Sequence, residues 1–191
     1  MQNLLEINNL ELSFHTYAGE VQALCGVSFS LRQGEAIGIV GESGSGKSVT
    51  SLSIMGLLPS SAEIKAGSIN FSGSNLLNLS SAQMQQVRGN EISMVFQDPM
   101  TSLNPVYTVG NQIMEPLMLH QHLSRAEAQK KAVDMLALTG IPDPERRFHQ
   151  YPHEFSGGMR QRAMIAMALS CQPRLLIADE QIGRASCRER V

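Results

Sequence analysis

Apolar and polar residues alternate over Leu10, Leu12 and Phe14, and again over Val27, Phe29 and Leu31. This is the two-residue period of half-buried β-strands. Ala18-Gly19-Glu20 supplies a turn between them, and Gln33-Gly34-Glu35 a second one. The pattern then changes. Ala36-Ile37-Gly38-Ile39-Val40 is a short, continuous apolar run, which predicts a fully buried strand of the kind found in parallel sheets. A Gly/Ser-rich loop follows, then a helical stretch to about Leu58 that Pro59 stops. Gly67–Phe71 and Ile92–Phe96 read as further strands. From about Val109 to Gly140 the sequence is helical, most clearly after Ser124. There Ser124 and Glu127 have capping-box spacing, and Gly140 with Pro142 supplies the stop. Lys130 and Lys131 form the solvated face of that helix. A loop containing Pro142, Pro144 and Pro152 leads to Ser156-Gly157-Gly158 and a helix to about Ser170. Leu175-Leu176-Ile177-Ala178 predicts a second buried strand, ending in Asp179-Glu180. Strands separated by helices predict an α/β domain with a largely parallel sheet and a helical insertion.

Composition narrows the function classes. The 191 residues are 42% hydrophobic, enough for a real core. Lys and Arg number 15 against 17 Asp and Glu, a net charge of −2, which argues against a general polyanion binder and hence against a nucleic-acid partner. No apolar run approaches the ~18 residues of a membrane span. The start, MQNLLEINNL, has neither the basic residues nor the apolar stretch of a secretory signal. Cys25, Cys171 and Cys187 have no CxxC spacing and read as free thiols in a reducing compartment. The expectation is a soluble cytosolic domain.

Three segments carry chemistry. Gly41-Glu42-Ser43-Gly44-Ser45-Gly46-Lys47-Ser48 satisfies G-x-x-x-x-G-K-[ST]. Its glycines let successive backbone N–H groups turn inward around phosphate oxygens, while the following helix points its positive end at them. Lys47 can reach the β- and γ-phosphates and the Ser48 hydroxyl can ligate Mg²⁺. A Gly/Ser linker with a chance Lys is the plain alternative, but a random match in this length has odds of roughly 1%. The second segment is the apolar run before Asp179-Glu180. Alone it describes any solvated strand end; after a P-loop, Asp179 becomes a Mg²⁺ ligand and Glu180 a residue that polarises water. Third is Phe155-Ser156-Gly157-Gly158-Met159-Arg160-Gln161-Arg162. Ser156 there reads as an N-cap opening a helix, and a bare helix N-terminus is also an anion site.

In this order the three segments resemble an ATP-binding-cassette (ABC) ATPase: Walker A, an LSGGQ-type signature with Phe155 and Met159 as variants, and Walker B. The resemblance covers Leu4 to Glu180. It implies a P-loop NTPase core with an N-terminal antiparallel β subdomain and a helical insertion at about 99–160, within a nucleotide-binding domain of residues 1–181. It implies ATP and Mg²⁺ as cofactors, and Gln97, in Val95-Phe96-Gln97-Asp98-Pro99, as a Mg²⁺ contact that senses the membrane partner. An aromatic residue ahead of the P-loop stacks on adenine in the family; Phe14 fits best by spacing, and Tyr17 is second. The signature residues Ser156, Gly157, Gly158, Met159 and Gln161 would serve the nucleotide of a second ATPase subunit in a head-to-tail dimer. Met164 and Met167 read as core. Gln97–Pro105 and Tyr151–Arg162 further resemble the dipeptide/oligopeptide/nickel importer group, close to bacterial oligopeptide permease ATPases. That implies membrane permease subunits as partners, an extracytoplasmic substrate-binding protein indirectly, and a peripheral place on the cytoplasmic face of the bacterial inner membrane. His153 lies in this stretch without ligand partners and is no metal site.

The family pattern breaks at Gln181. The family continues with a D-loop and a later switch histidine, whereas residues 182–191 read IGRASCRERV. That tail resembles a translated sequencing adapter, ATC GGA AGA GCG TCG TGT AGG GAA AGA GTG, so it is expected to be artefactual and the domain C-terminally truncated. Two other readings remain open: a nucleotide-binding fragment without turnover, and a soluble, non-transport ABC protein. The latter would bring coiled-coil insertions or zinc cysteines, which this sequence lacks.

Overall fold

The computed structural model describes residues 3–96 and 102–179. Gln97 and Glu180, and the tail 182–191, lie outside the described residues. The described chain forms two compact units that divide after Gln85.

The first unit is built on two long strands, β1 (Asn3–Thr16) and β2 (Gly19–Arg32), joined by a tight turn at Tyr17-Ala18. With β3 (Ala62–Phe71) and β4 (Ser74–Asn75) they make an antiparallel sheet in the order β2-β1-β3-β4. The alternation read in the sequence is the pleat: Leu10 and Leu12 are fully buried, as is Leu24 opposite Leu12. Two irregularities shape this sheet. Leu12 pairs with Leu24 but Ser13 pairs with Gln22, so Ala23 is an extra residue, a β-bulge that bends and twists β2. On the other side of β1, Gly67 has φ +98° and lies so close to the Asn8 and Asn9 carbonyls that a Cβ would meet them at 2.6 and 2.5 Å. Only glycine permits both the backbone conformation and the approach.

Helix α1 (Lys47–Met55) follows the Gly/Ser loop. It ends earlier than the expected Leu58. Gly56 takes a left-handed conformation (φ 60°), and Leu57 N–H donates to the Leu52 carbonyl at 2.9 Å, a glycine C-cap that terminates the helix before Pro59 is reached. Helix α2 (Ser81–Val87) spans the division between the units.

The second unit contains β5 (Ile92–Val95), α3 (Val109–Gln121), α4 (Arg125–Leu138), α5 (Pro144–Phe148), α6 (Gly157–Leu169) and β6 (Leu175–Ala178). The α4 start is the predicted capping box: Ser124 Oγ accepts from Glu127 N–H, and the Glu127 carboxylate accepts from Ser124 N–H at 2.9 Å. Its core joins Val109, Ile113 and Leu117 of α3 to Ala132 and Leu136 of α4, with Phe148, Phe155 and Ala163 closing around them. Met164 is buried against Val95 and Met167 packs on the helical core, as expected of core residues.

Two strand expectations need correction. Ala36–Val40 is neither buried nor a strand: Ile37, Ile39 and Val40 are 48%, 47% and 93% exposed. No described strand runs beside it, and without a neighbour's N–H and C=O groups an extended segment has no ladder to join. Leu175–Ala178 does form a strand, parallel to β5 in the register Ile92↔Leu175 through Val95↔Ala178. However, only Leu175 is buried, while Leu176, on the opposite face, is 42% exposed, so among the described residues one face of β6 is left uncovered. Among the described residues the parallel sheet is therefore two strands, not the larger one expected.

Candidate functional site

The loop before α1 is assembled from its own backbone. Ser45 N–H donates to the Glu42 carbonyl at 3.2 Å, and Gly44 (φ +83°) and Gly46 (φ +90°) reverse the chain. Gly46 is the N-cap of α1 and provides no side-chain acceptor, and the first turn contains no acidic residue. The helix thus presents its N-terminal N–H groups and positive dipole end without an internal anion to satisfy them. Lys47 Nζ donates to the Gly41 and Glu42 carbonyls at 2.8 Å each, which folds the ammonium over the loop. Ser48 follows in the first turn. Thr50, which the sequence reading did not single out, is buried, and its hydroxyl donates to the Gly46 carbonyl at 2.9 Å. It pins the end of the loop to the helix.

The loop is also docked on the sheet. A Cβ on Gly46 would lie 2.6 Å from Leu24 Cδ2 and 3.1 Å from the Ala23 carbonyl, so the loop rests at the bulge of β2. Leu24 pairs with Leu12, and Phe14 lies two residues further along β1. Side chains two apart share a face and are separated by about 7 Å along a strand. Phe14 therefore stands on the same sheet face as the loop's resting point, with Val21 directly opposite on β2 and Ala62 on β3. Val21, 54% exposed, extends this apolar shelf. Its role is legible only once the bulge fixes the register. Tyr17 projects fully into solvent at the hairpin turn.

The second unit holds the other predicted site residues. Ser156 caps α6, its Oγ accepting from Met159 N–H at 3.3 Å. Gly157 and Gly158 are exposed, and a Cβ on either would meet nothing within 4 Å. Among the described residues nothing demands their lack of a side chain. Met159 is half-buried against the helical core, and Gln161, two residues further along α6, is also half-buried. The preceding loop is firmly held: Phe155 is buried, Arg160 Nε donates to the Pro152 carbonyl at 2.7 Å, and the Glu154 carboxylate accepts from Tyr151 N–H at 2.7 Å. Asp179 directly follows β6, with its N–H donating to the Val95 carbonyl at 3.0 Å. Because β5 and β6 are parallel and Val95 faces Ala178, both strands end on the same side of their ladder.

Comparison with known proteins gives consistent matches. The family profile for ABC transporters matches residues 11–183. The oligopeptide transport ATP-binding protein OppD of Bacillus subtilis is 60% identical over 178 residues, 93% of this chain and 50% of the relative. The dipeptide transport ATP-binding protein DppD of the same species is 58% identical over 181 residues, 94% of this chain and 54% of the relative. OppD of Escherichia coli is 54% identical over 177 residues, 93% of this chain and 52% of the relative. The chain thus spans about half the length of the curated relatives it matches. Among solved structures, a dimeric ATP-binding cassette in a post-hydrolysis state bound to ADP and Pi aligns with a TM-score of 0.81 at 26% identity. That alignment covers 92% of this chain and 73% of the solved one.

Proposed function

The chain belongs to the ABC transporter family, and from that premise we propose that it is the nucleotide-binding part of an ATPase subunit that powers peptide import. The observation that carries the reading is the loop Gly41–Ser48: a helix N-terminus left open, with Lys47 folded over it and Phe14 on the adjoining sheet face. In this proposal the Gly44–Lys47 N–H groups and Lys47 hold the phosphates of ATP. Phe14, with Tyr17 as the less favourably placed alternative, stacks on adenine. Ser48 and Asp179 offer a hydroxyl and a carboxylate, hard oxygen donors that suit Mg²⁺, and Gln97 would add an amide oxygen. Mg²⁺ when bound supplies charge neutralisation at the transferred phosphoryl group. Glu180 would orient the attacking water, the remaining task for which the chain has a residue in sequence.

The exposed, unfilled faces of Gly157 and Gly158 support the signature residues acting on the nucleotide of a second ATPase subunit, since a backbone without side chains admits close approach from outside. The names of the relatives, oligopeptide and dipeptide transport ATP-binding proteins, support a peptide as cargo; membrane permease subunits and an extracytoplasmic substrate-binding protein are the partners proposed with that role. Among the described residues no helix is long and apolar enough to cross a membrane, in keeping with a peripheral position on the cytoplasmic face of the inner membrane. The helical subdomain, at about 99–160, would carry the contact with the permease. Grafting residues 3–179 in place of the matching stretch of the Bacillus subtilis OppD relative tests the reading. In a strain lacking its own OppD, the chimera is expected to restore growth on an oligopeptide that supplies a required amino acid. Stable expression without growth would contradict it.

A further inference from the structure

Phe14 is bracketed in β1 by Ser13 and His15, whose side chains emerge on the opposite face of the sheet. Each is tied to a carboxylate on a different neighbouring strand. Ser13 is buried in the sheet, and its hydroxyl favours the charged form of the Glu20 carboxylate of β2. His15 Nε2 lies 2.8 Å from Glu63 Oε2 of β3. Lys65 closes the figure, with its Nζ 2.7 Å from Glu63 Oε2 and 3.2 Å from Glu20 Oε1. The result is a ring, Ser13–Glu20–Lys65–Glu63–His15, that crosses all three strands and encloses the backbone of Phe14 from behind. Lys65 and the two carboxylates favour one another's charged forms. The Ser13 hydroxyl and then Lys65 hold Glu20 below the usual carboxylate range. Lys65 and then His15 do the same for Glu63, and the two carboxylates raise Lys65.

A hairpin end is the part of a sheet that frays most readily, and here the fraying end carries the aromatic residue. Beyond Phe14 the β1–β2 hairpin has only His15↔Glu20 and Thr16↔Gly19 before its turn. The helix α1 and the P-loop meet β2 at Ala23-Leu24, short of this end, so they do not hold it. The ring does.

We propose that Lys65, together with Glu20, Glu63 and His15, is a positioning group that fixes Phe14 for stacking on the nucleotide base and so makes the site select a nucleoside triphosphate over a bare triphosphate. The inference rests on the nucleotide-binding reading given above. It concerns the base end of the site only, because the phosphate end is held by α1 and its loop.

The full chain is titrated by calorimetry with MgATP and with magnesium tripolyphosphate, as wild type, Lys65→Met, Lys65→Arg, Phe14→Ala and the Phe14→Ala/Lys65→Met double variant. Phe14→Ala is expected to weaken ATP by about tenfold, as loss of base stacking does. Lys65→Met is expected to weaken ATP roughly threefold to fivefold, to leave tripolyphosphate unchanged, and to add nothing in the Phe14→Ala background. Lys65→Arg restores the wild-type affinity. If Lys65→Met does not fold, Glu63→Gln, which weakens the same ring at two contacts, carries the same expectations. Equal weakening of both ligands, no effect on ATP, or a full additional factor on top of Phe14→Ala would each overturn the proposal. A wild-type chain that is folded and binds neither ligand would overturn the nucleotide reading itself.

Discussion

Two short, mainly apolar runs in this chain have opposite fates. Ile92–Val95 is buried along its whole length and pairs with Leu175–Ala178 in a regular parallel ladder. Ala36–Val40, equally apolar, leaves the Gln33-Gly34 turn and runs to the P-loop unpaired, with Val40 93% exposed. Propensity does not separate them, since both are rich in the residues strands favour. The difference is the neighbour. Ile92–Val95 has β6 on one side and the α6 residues Met164 and Ala168 over it, so its backbone groups are bonded and its side chains leave water. Ala36–Val40 has neither among the described residues. A strand is a property of a pair, and apolar patterning specifies only one member.

The contrast can be broken experimentally. The largest effect is expected at Ile92, which is fully buried: Ile92→Ala removes packed methyl groups and leaves a cavity, costing about 2–5 kcal/mol, measurable as a shift of the urea midpoint. An intermediate effect is expected from acid. His120, on α3, packs against Gly89 in the turn that leads into β5, and its Nδ1 is buried without a hydrogen-bond partner. Burial, followed by the neighbouring His122, lowers its pKa. The folded state then binds this proton more weakly than the unfolded chain. Its contribution is complete above the ordinary histidine value of about 6.5 and is lost as pH falls below it. Stability is therefore expected to decline between neutral pH and the region below that value. His120→Gln should flatten the decline, and an unchanged slope in that variant would assign it to other groups. The smallest effect is expected at Ile37. It is 48% exposed in the unpaired run, so Ile37→Ser should stay within about ±0.5 kcal/mol. A loss comparable to that of Ile92→Ala would mean that Ala36–Val40 is packed after all.

What the sequence made legible was chiefly local. The capping box at Ser124 and Glu127, the Ser156 cap of α6 and the P-loop turn all depend on side chains and backbone groups a few residues apart, so their spacing is enough. The long strands β1 and β2 were visible in their alternation. What escaped depended on register. The bulge at Ala23 brings the Gly46 end of the P-loop onto the same face as Phe14, and no local pattern announces an extra residue of this kind. The same holds for the ring through Glu20, Glu63 and Lys65, since charged residues on three strands become neighbours only after the pairing is known. Gln112 is a further case. It is buried and holds the loop before α3 by accepting from Asn104 N–H at 2.8 Å and donating to the Asn104 and Tyr107 carbonyls at 2.9 and 3.0 Å, whereas its sequence position reads as one more polar helix residue. The buried strand predicted at Ala36–Val40 failed for the converse reason: the run was read alone, without asking which segment would lie beside it.

In the proposed function Gly41–Ser48 is a nucleotide phosphate site whose charge comes from Lys47 and the α1 N-terminus. Calorimetric titration of MgATP into the folded full chain and into folded Lys47→Ala tests this directly. Saturable binding by the wild type and the loss of most of that affinity in the variant are expected, since a charge-assisted contact to the β- and γ-phosphates is removed. Equal affinity in the two proteins would contradict it.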